Sequence, residues 1–260
     1  MTEGDLNPNL KGIARAGAGV NNIPVDLCTQ RGIVVFNTPG ANANGVKELL
    51  LAGLLLSSRR IYQGINWSQS LKGKGAEVPA LVEKGKADFT GPEILGKKLA
   101  VIGLGAIGVI AANAATDQGM EVVGFDPYIS VESAWGLSRA VKRAKSLEGA
   151  LADADYITIH VPLTPETKGV VNAALLAKMK NGVRILNFAR GELVNNKDIL
   201  AAIKDGKVGV YVTDFPEEDL LDVDQVIPVP HLGASTPEAE DNCAWMAADQ
   251  LKNFLETGNV

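Results

Sequence analysis

Cysteine is nearly absent: Cys28 and Cys243 are the only two in 260 residues. Their separation in sequence excludes a disulfide framework and the close spacing of a metal site, and leaves free buried thiols as the reading. Histidine is equally scarce, with His160 and His231 alone, and no metal is expected. Long apolar runs are missing. Leu49 to Leu56 is the nearest and falls well short of a bilayer span, so no membrane partner is expected. An excess of positive charge is missing too. Lys and Arg total 25 against 30 Asp and Glu, a net charge of −5, which argues against nucleic acid as a partner. The first residues, Met1-Thr-Glu-Gly-Asp-Leu-Asn-Pro8, are polar and acidic and do not read as a secretory signal, so a cytoplasmic location is expected.

What remains is an ordinary globular composition, 46% hydrophobic and 21% charged, sufficient for a sizeable core. The length predicts one large domain or two small ones.

The chain is organised around residues 99–127. Leu99 to Ile102 reads as a buried parallel strand. Gly103, Gly105 and Gly108 follow at G-x-G-x-x-G spacing, and a helix pattern then runs to about Gln118, ended by Gly119. Glu121 to Phe125 is a second apolar strand, closed by Asp126, 18 residues after Gly108. Gly103 permits the tight turn, Gly105 lets the backbone approach a pyrophosphate, and Gly108 lets helix and strand pack closely. The helix N-terminus offers free N–H groups to phosphate. Asp126 is placed to accept from a ribose diol. A carboxylate there repels a 2′-phosphate, and Pro127-Tyr128 supplies no Arg beside it, so NAD is expected over NADP.

Elsewhere, residues 11–20 predict a strand ending in a glycine loop, Pro24 to Gln30 a short helix, and Ile33 to Phe36 a second strand. A long helix is expected over about Gly45 to Tyr62, capped by Asn44 and apolar nearly all round, as suits a core or a subunit interface. Residues 63–92 are richer in Gly, Lys and Ser and read as a surface excursion in which Trp67 packs. After the dinucleotide unit, helices are expected over 146–152, 172–179 and 196–205. Strands are expected over 156–161, 183–188, 208–213 and 226–229. A last helix over about 237–256 is capped by Thr236. Strands alternating with helices imply an α/β fold with a doubly wound parallel sheet, whose ligands sit beyond the carboxyl ends of the strands.

Three strand ends carry chemistry. Arg190, in Asn187-Phe-Ala-Arg-Gly, offers a planar fork for a carboxylate, as a 2-hydroxy or 2-oxo acid would need. His231, in Pro230-His-Leu-Gly-Ala-Ser-Thr, suits the proton transfer that accompanies oxidation of an alcohol. Thr213-Asp-Phe-Pro-Glu-Glu-Asp219 supplies Asp214, Glu217, Glu218 and Asp219. Any of these four acids is a candidate to hold the histidine ring, and a solvated acidic loop is the alternative. His160, closing the strand over 156–161, reads as a core residue or a neighbour of the site.

These stretches, with Arg15-Ala-Gly-Ala-Gly-Val-Asn-Asn and Asn37-Thr-Pro-Gly, resemble the D-isomer-specific 2-hydroxyacid dehydrogenase family across nearly the whole chain. The resemblance implies a Rossmann domain over 39–231, inserted into a smaller substrate domain formed by 1–38 and 232–260. It implies catalysis by Arg190, His231 and Glu218, the last by its position three residues after Phe215, with Glu217 as the alternative. Besides Gly103, Gly105, Ala106, Ile107, Gly108 and Asp126, it implies cofactor contacts from His160, Val161, Pro162, Asn187, Ala189, Gly233 and Ala234. The family's usual Asp-Val-Phe stands here as Thr213-Asp214-Phe215, so Asp214 or no acid is the remaining cofactor contact. Backbone N–H groups of Gly17, Ala18 and Gly19 would bind substrate, with Arg15 near a substrate phosphate. The implied substrate is 3-phosphoglycerate or a related 2-hydroxy acid, such as a lactate or a partner of glyoxylate or hydroxypyruvate. The implied cofactor is NAD, and the implied assembly is a homodimer or homotetramer through the long helix. A non-catalytic NAD-sensing corepressor on the same fold is the competing reading, disfavoured by the intact Arg190 and His231.

By the same resemblance, the substrate domain opens with a strand–helix–strand portion before the Arg-Ala-Gly loop. Only 14 residues precede Arg15, too few for a parallel crossover, and the chain stops at Val260 without a regulatory domain. The expectation is a chain shortened at both ends, with an incomplete substrate domain. Cofactor binding would survive and substrate oxidation would be weak or absent. Apolar strand surface would lie uncovered around Ile13 and Ile33-Val34-Val35.

Overall fold

The computed structural model describes residues 1–260 as two compact units, Met1–Val46 with Ala234–Val260, and Lys47–Gly233. No helix is long and apolar enough to cross a membrane.

The smaller unit begins with β1 (Gly12–Ala14), α1 (Val25–Gln30) and β2 (Val34–Phe36). Its two strands pair in parallel, with Ile13 opposite Val35. The strand surface expected to lie uncovered is packed instead. Leu6, Ile23, Cys28 and Ile33 form a buried cluster, and Leu10, Ile13, Leu27 and Val35 pack against it. The unit's last helix closes the other side, with Phe254 at 5.7 Å from Phe36, ring centre to ring centre. Its Leu251 would stand 3.1 Å from a Cβ on Gly12. The polar N-terminal stretch contributes here through a single apolar residue, Leu6, which is 3% exposed.

The chain enters the larger unit within α2 (Ala43–Ser58). This helix opens ahead of Asn44, which therefore lies inside it and is not its cap. It also stops earlier than its apolar pattern predicts, because Arg60 adopts a left-handed conformation, φ 44°. A new helix, α3 (Ile61–Ser70), starts there, and α4 (Val78–Gly85) comes after it. The expected surface excursion is thus mostly helical. Trp67 packs as predicted, its ring 5.2 Å from that of Phe89.

The elements β3 (Lys98–Ile102), α5 (Ala106–Asp117), β4 (Glu121–Phe125), α6 (Val131–Gly136), β5 (Lys142–Arg143), α7 (Leu147–Leu151), β6 (Tyr156–Ile159), α8 (Ala173–Ala177), β7 (Val183–Asn187), α9 (Asn196–Lys204), β8 (Val208–Thr213) and β9 (Val226–Pro228) follow. The chain then closes with α10 (Pro237–Thr257), back in the smaller unit. Serine, asparagine and threonine side chains cap several helices: Ser146 accepts from Gly149, Asn172 from Leu175, Asn195 from Asp198 and Thr236 from Ala239. All seven strands of the larger unit run parallel in the order β5-β4-β3-β6-β7-β8-β9. The β6 strand is buried along its whole length, as a sheet covered on both faces requires. The chain winds outward from β3 in one direction and from β6 in the other. The crevice between their carboxyl ends is therefore where a doubly wound sheet takes its ligand.

Candidate active site

At that crevice the glycines do separate jobs. Gly103 has φ +90°, and a Cβ there would meet the carbonyl oxygen of His160 at 2.7 Å. A Cβ on Gly108 would stand 1.9 Å from the carbonyl oxygen of Gly103. Both positions are closed by the protein itself. Around Gly105 nothing lies within 4 Å of an added Cβ. That is the space a pyrophosphate needs beside the first turn of α5, so these residues fit a dinucleotide. Ala106 and Ile107 form that first turn.

Asp126, at the end of β4, accepts the N–H of Leu104 on one carboxylate oxygen and that of Tyr128 on the other, both at 2.8 Å. His160, at the end of β6, shares a hydrogen bond of 3.0 Å between its Nε2 and the Thr158 hydroxyl. Enclosure of the ring pushes its pKa from 6.5 down to about 4, so the imidazole is neutral near pH 7. Val161 and Pro162 continue that strand end, and the Val161 side chain would be 3.0 Å from a Cβ on Gly103.

The next three strand ends carry Arg190 after β7, Asp214 after β8 and His231 after β9, and backbone bonds tie the three loops together. Asn187 ends β7 and is fully buried. Its side-chain oxygen accepts from the N–H of Ala189 at 3.2 Å, and its amide donates to the Arg190 carbonyl at 2.8 Å. The loop is thus folded around one asparagine, and within it Arg190 Nη1 donates to the Ala189 carbonyl at 2.6 Å. Asp214 follows β8 and is 1% exposed. Its N–H donates to the Asn187 carbonyl, and its own carbonyl accepts from the N–H of His231, each at 3.1 Å. Its carboxylate accepts from the N–H groups of Leu232 at 2.7 Å and Gly233 at 2.9 Å. Asp214, one of the four acids expected as candidates to hold the histidine ring, binds the backbone of this turn. His231 has φ +52°, and its ring lies 4.9 Å from that of Phe215.

An open cleft of about 470 Å³ is lined here by Gly191, Glu192, Asp214, Phe215, Glu217 and His231, among others. Of the two glutamates left open by the sequence, Glu217 lines this cleft. Its charge also helps to raise the pKa of the Tyr211 phenol, after the larger effect of burial. Glu218 opens a short 3-10 turn over Glu218–Leu220; both glutamates are exposed, and Glu217 is the one that borders the cleft. Tyr211, unnoticed in the sequence because it sits in an apolar strand, lies beneath the loops with its hydroxyl 3.5 Å from the Asn187 amide.

Arg15, Gly17, Ala18, Gly19 and Ala234 belong to the smaller unit. The loop there is tied to the end of β2. The N–H of Gly17 donates to the Thr38 hydroxyl at 2.7 Å, and the Asn37 amide donates to the Ala18 carbonyl at 2.6 Å. The N–H of Gly17 is thus spent within the loop, which corrects its expected role as a substrate donor. The Arg15 guanidinium lies across Gly17, and the φ of +142° is what favours glycine there.

The D-isomer specific 2-hydroxyacid dehydrogenase family's NAD binding domain matches residues 51–233, and the chain belongs to this family. Its doubly wound unit is therefore an NAD-binding domain. Among curated relatives, the D-3-phosphoglycerate dehydrogenase of Methanocaldococcus jannaschii is 40% identical over 255 residues, covering 95% of this chain and 46% of that protein. The chain spans about half the length of the curated relatives it matches. Among solved structures, apo D-mandelate dehydrogenase of Rhodotorula graminis has a TM-score of 0.82 at 26% identity, over 96% of this chain and 73% of the other. The NAD+-bound 3-phosphoglycerate dehydrogenase of Entamoeba histolytica has a TM-score of 0.76 at 28% identity, over 97% and 74%.

Proposed function

We propose that the chain supplies the NAD-dependent oxidation of 3-phospho-D-glycerate to 3-phosphohydroxypyruvate. The observation that carries this reading is the shared bracket of Asn187 and Asp214. It ties a carboxylate-binding arginine after β7 and a proton-accepting histidine after β9 to the acid after β8, the strand between them in an NAD-binding sheet. The choice of substrate is supported by the 40% identity to a D-3-phosphoglycerate dehydrogenase.

Arg190 holds the substrate carboxylate through two parallel N–H donors. This orients the 2-hydroxyl toward His231, which takes its proton as the carbon–oxygen double bond forms. NAD, when bound, accepts the hydride that leaves the same carbon. Glu217, in the cleft with His231, is the acid we assign to stabilise the imidazolium, ahead of Glu218. Arg15 is assigned to the substrate phosphate, with Ala18 and Gly19 as the donors left to that loop. Asp126 sets the preference for NAD, and a homodimer or homotetramer completes the reading.

The test is NADH formation followed at 340 nm with 3-phosphoglycerate, lactate, glycerate and glycolate. Turnover with 3-phosphoglycerate above the others supports the reading. Turnover only with an unphosphorylated acid moves it to another member of the family. Tight NADH binding with no turnover on any of them removes the enzymatic reading.

A further inference from the structure

The pairing of β1 with β2 continues past the ends of the two strands. The N–H of Arg15 donates to the Phe36 carbonyl at 2.9 Å, and two residues later the chain is fastened again. There the N–H of Gly17 donates to the Thr38 hydroxyl at 2.7 Å, and the N–H of Thr38 returns a bond to the Gly17 carbonyl at 3.1 Å. Thr38 is fully buried, 0% exposed, where a hydroxyl needs a partner, and Gly17 supplies it. The Asn37 amide then donates to the Ala18 carbonyl at 2.6 Å. Asn37 and Thr38 together thus occupy the Gly17 N–H and the carbonyls of Gly17 and Ala18. The N–H groups of Ala18 and Gly19, both half-buried, come next in the chain and have no partner within this unit. They follow directly on the residue over which the Arg15 guanidinium lies. Two successive amide donors next to a cation suit an oxyanion, since hydrogen bonds to a charged acceptor are the strong ones.

We propose that Thr38 is a positioning residue for the substrate. Its hydroxyl pins Gly17, and the pin holds the Ala18 and Gly19 N–H groups together as a pair of donors for one oxyanion of the substrate, its carboxylate or its phosphate. The bond from the Thr38 main chain is open to any residue but proline at this position. The hydroxyl is what the side chain adds. Gly17, at φ +142°, moves among conformations more readily than any other residue and needs an outside restraint. Without the hydroxyl its buried N–H has no acceptor, and the turn shifts to find one.

This inference rests on the reading of the 15–19 loop as substrate-binding, and the experiment separates the two. In the full chain, Thr38→Val, which keeps the shape and loses the hydroxyl, is compared with Thr38→Ser, which keeps the hydroxyl. Calorimetry with NADH present measures the binding of 3-phosphoglycerate and of D-glycerate, alongside steady-state kinetics, NADH titration and hydrogen exchange at Gly17. Thr38→Val weakens substrate binding, and raises KM, about tenfold, the size of one lost hydrogen bond. Its kcat and NADH Kd move less than about threefold, the pattern of a contact made equally in ground and transition states. Exchange at Gly17 rises at least about tenfold in the same variant, as expected for an amide that loses its acceptor. Thr38→Ser restores all three. A loss toward both acids assigns the donors to the carboxylate, and a loss toward 3-phosphoglycerate alone assigns them to the phosphate. Thr38→Ala carries the same comparison if the valine variant does not fold. Native substrate affinity in Thr38→Val overturns the proposal, and so does unchanged exchange at Gly17. An equal loss of NADH affinity overturns it too, because it marks a general loosening of the fold. A native chain that binds neither acid overturns the substrate reading of the loop, and this inference with it.

Discussion

The Asp126 carboxylate accepts the N–H of Leu104 at 2.8 Å, so the acid that closes β4 is fastened to the middle of the glycine loop that follows β3. The second oxygen accepts from Tyr128, and the group is half-buried between the two strand ends. In the proposed site a carboxylate held in this way would meet the ribose of the cofactor. NAD(H) should therefore bind more tightly than NADP(H), and fluorescence titration with both reduced cofactors measures the gap. Asp126→Ala narrows it from both sides, by removing an acceptor for the 2′-hydroxyl and a repulsion toward the 2′-phosphate. Equal affinities in the native chain contradict this role.

The three loop glycines should separate stability from binding. Gly105 has φ −76°, a conformation open to any residue, and no neighbour within 4 Å of a Cβ. Gly105→Ala should fold with an unchanged melting temperature and bind NADH about tenfold more weakly, a loss of about 1.4 kcal/mol. Gly108→Ala forces its methyl into the Gly103 carbonyl at 1.9 Å. It should destabilise the fold by about 1–3 kcal/mol before binding is considered. Thermal melts and NADH titrations on the two variants check the contrast. A destabilised Gly105→Ala with intact binding reverses the assignment.

The sequence made the parallel sheet legible where strands are apolar runs, as at β3, β4, β6, β7 and β8. It concealed β5, because Lys142–Arg143 is a two-residue, exposed edge strand of two cations with no apolar signal. It concealed the break between α2 and α3, because Ser57 to Arg60 contains no Gly or Pro and the turn is made by Arg60 in a left-handed conformation. Arg190 and His231 were visible from their positions after strands. The work of Asp214 was not, since a carboxylate's partners 18 residues along the chain depend on β8 and β9 lying side by side.

His231→Ala should lower turnover by about 10²–10⁴-fold while leaving NADH affinity unchanged, the signature of an acid–base group. Arg190→Lys should be nearly as damaging, because an ammonium cannot form two parallel bonds to a carboxylate. Of the neighbouring acids, both exposed, Glu217→Gln should impair turnover more than Glu218→Gln, since Glu217 lines the cleft with His231. Steady-state kinetics of the four variants test the set. A greater loss in Glu218→Gln returns the role to that residue.

The partly buried His160 ring makes folding stability depend on pH. Its pKa is about 4 in the folded chain, against 6.5 as the ordinary value. The unfolded chain therefore takes up a proton below pH 6.5 that the folded chain refuses until about pH 4. The stability associated with His160 is complete above pH 6.5 and is lost progressively as the pH falls toward 4, by at most about 3 kcal/mol. Carboxylates contribute at the acid end of the same range. Asp155, which burial alone would raise, is held below its ordinary value by Lys180 and the Lys98 N–H. A comparison of variants isolates the histidine from these groups. His160→Gln removes the titrating ring and keeps a group able to bond the Thr158 hydroxyl. Urea unfolding midpoints measured between pH 7 and pH 4.5 should fall more steeply for the native chain than for His160→Gln. Parallel pH profiles for the two would place the imidazole in contact with solvent and remove the enclosure as the cause of its lowered pKa.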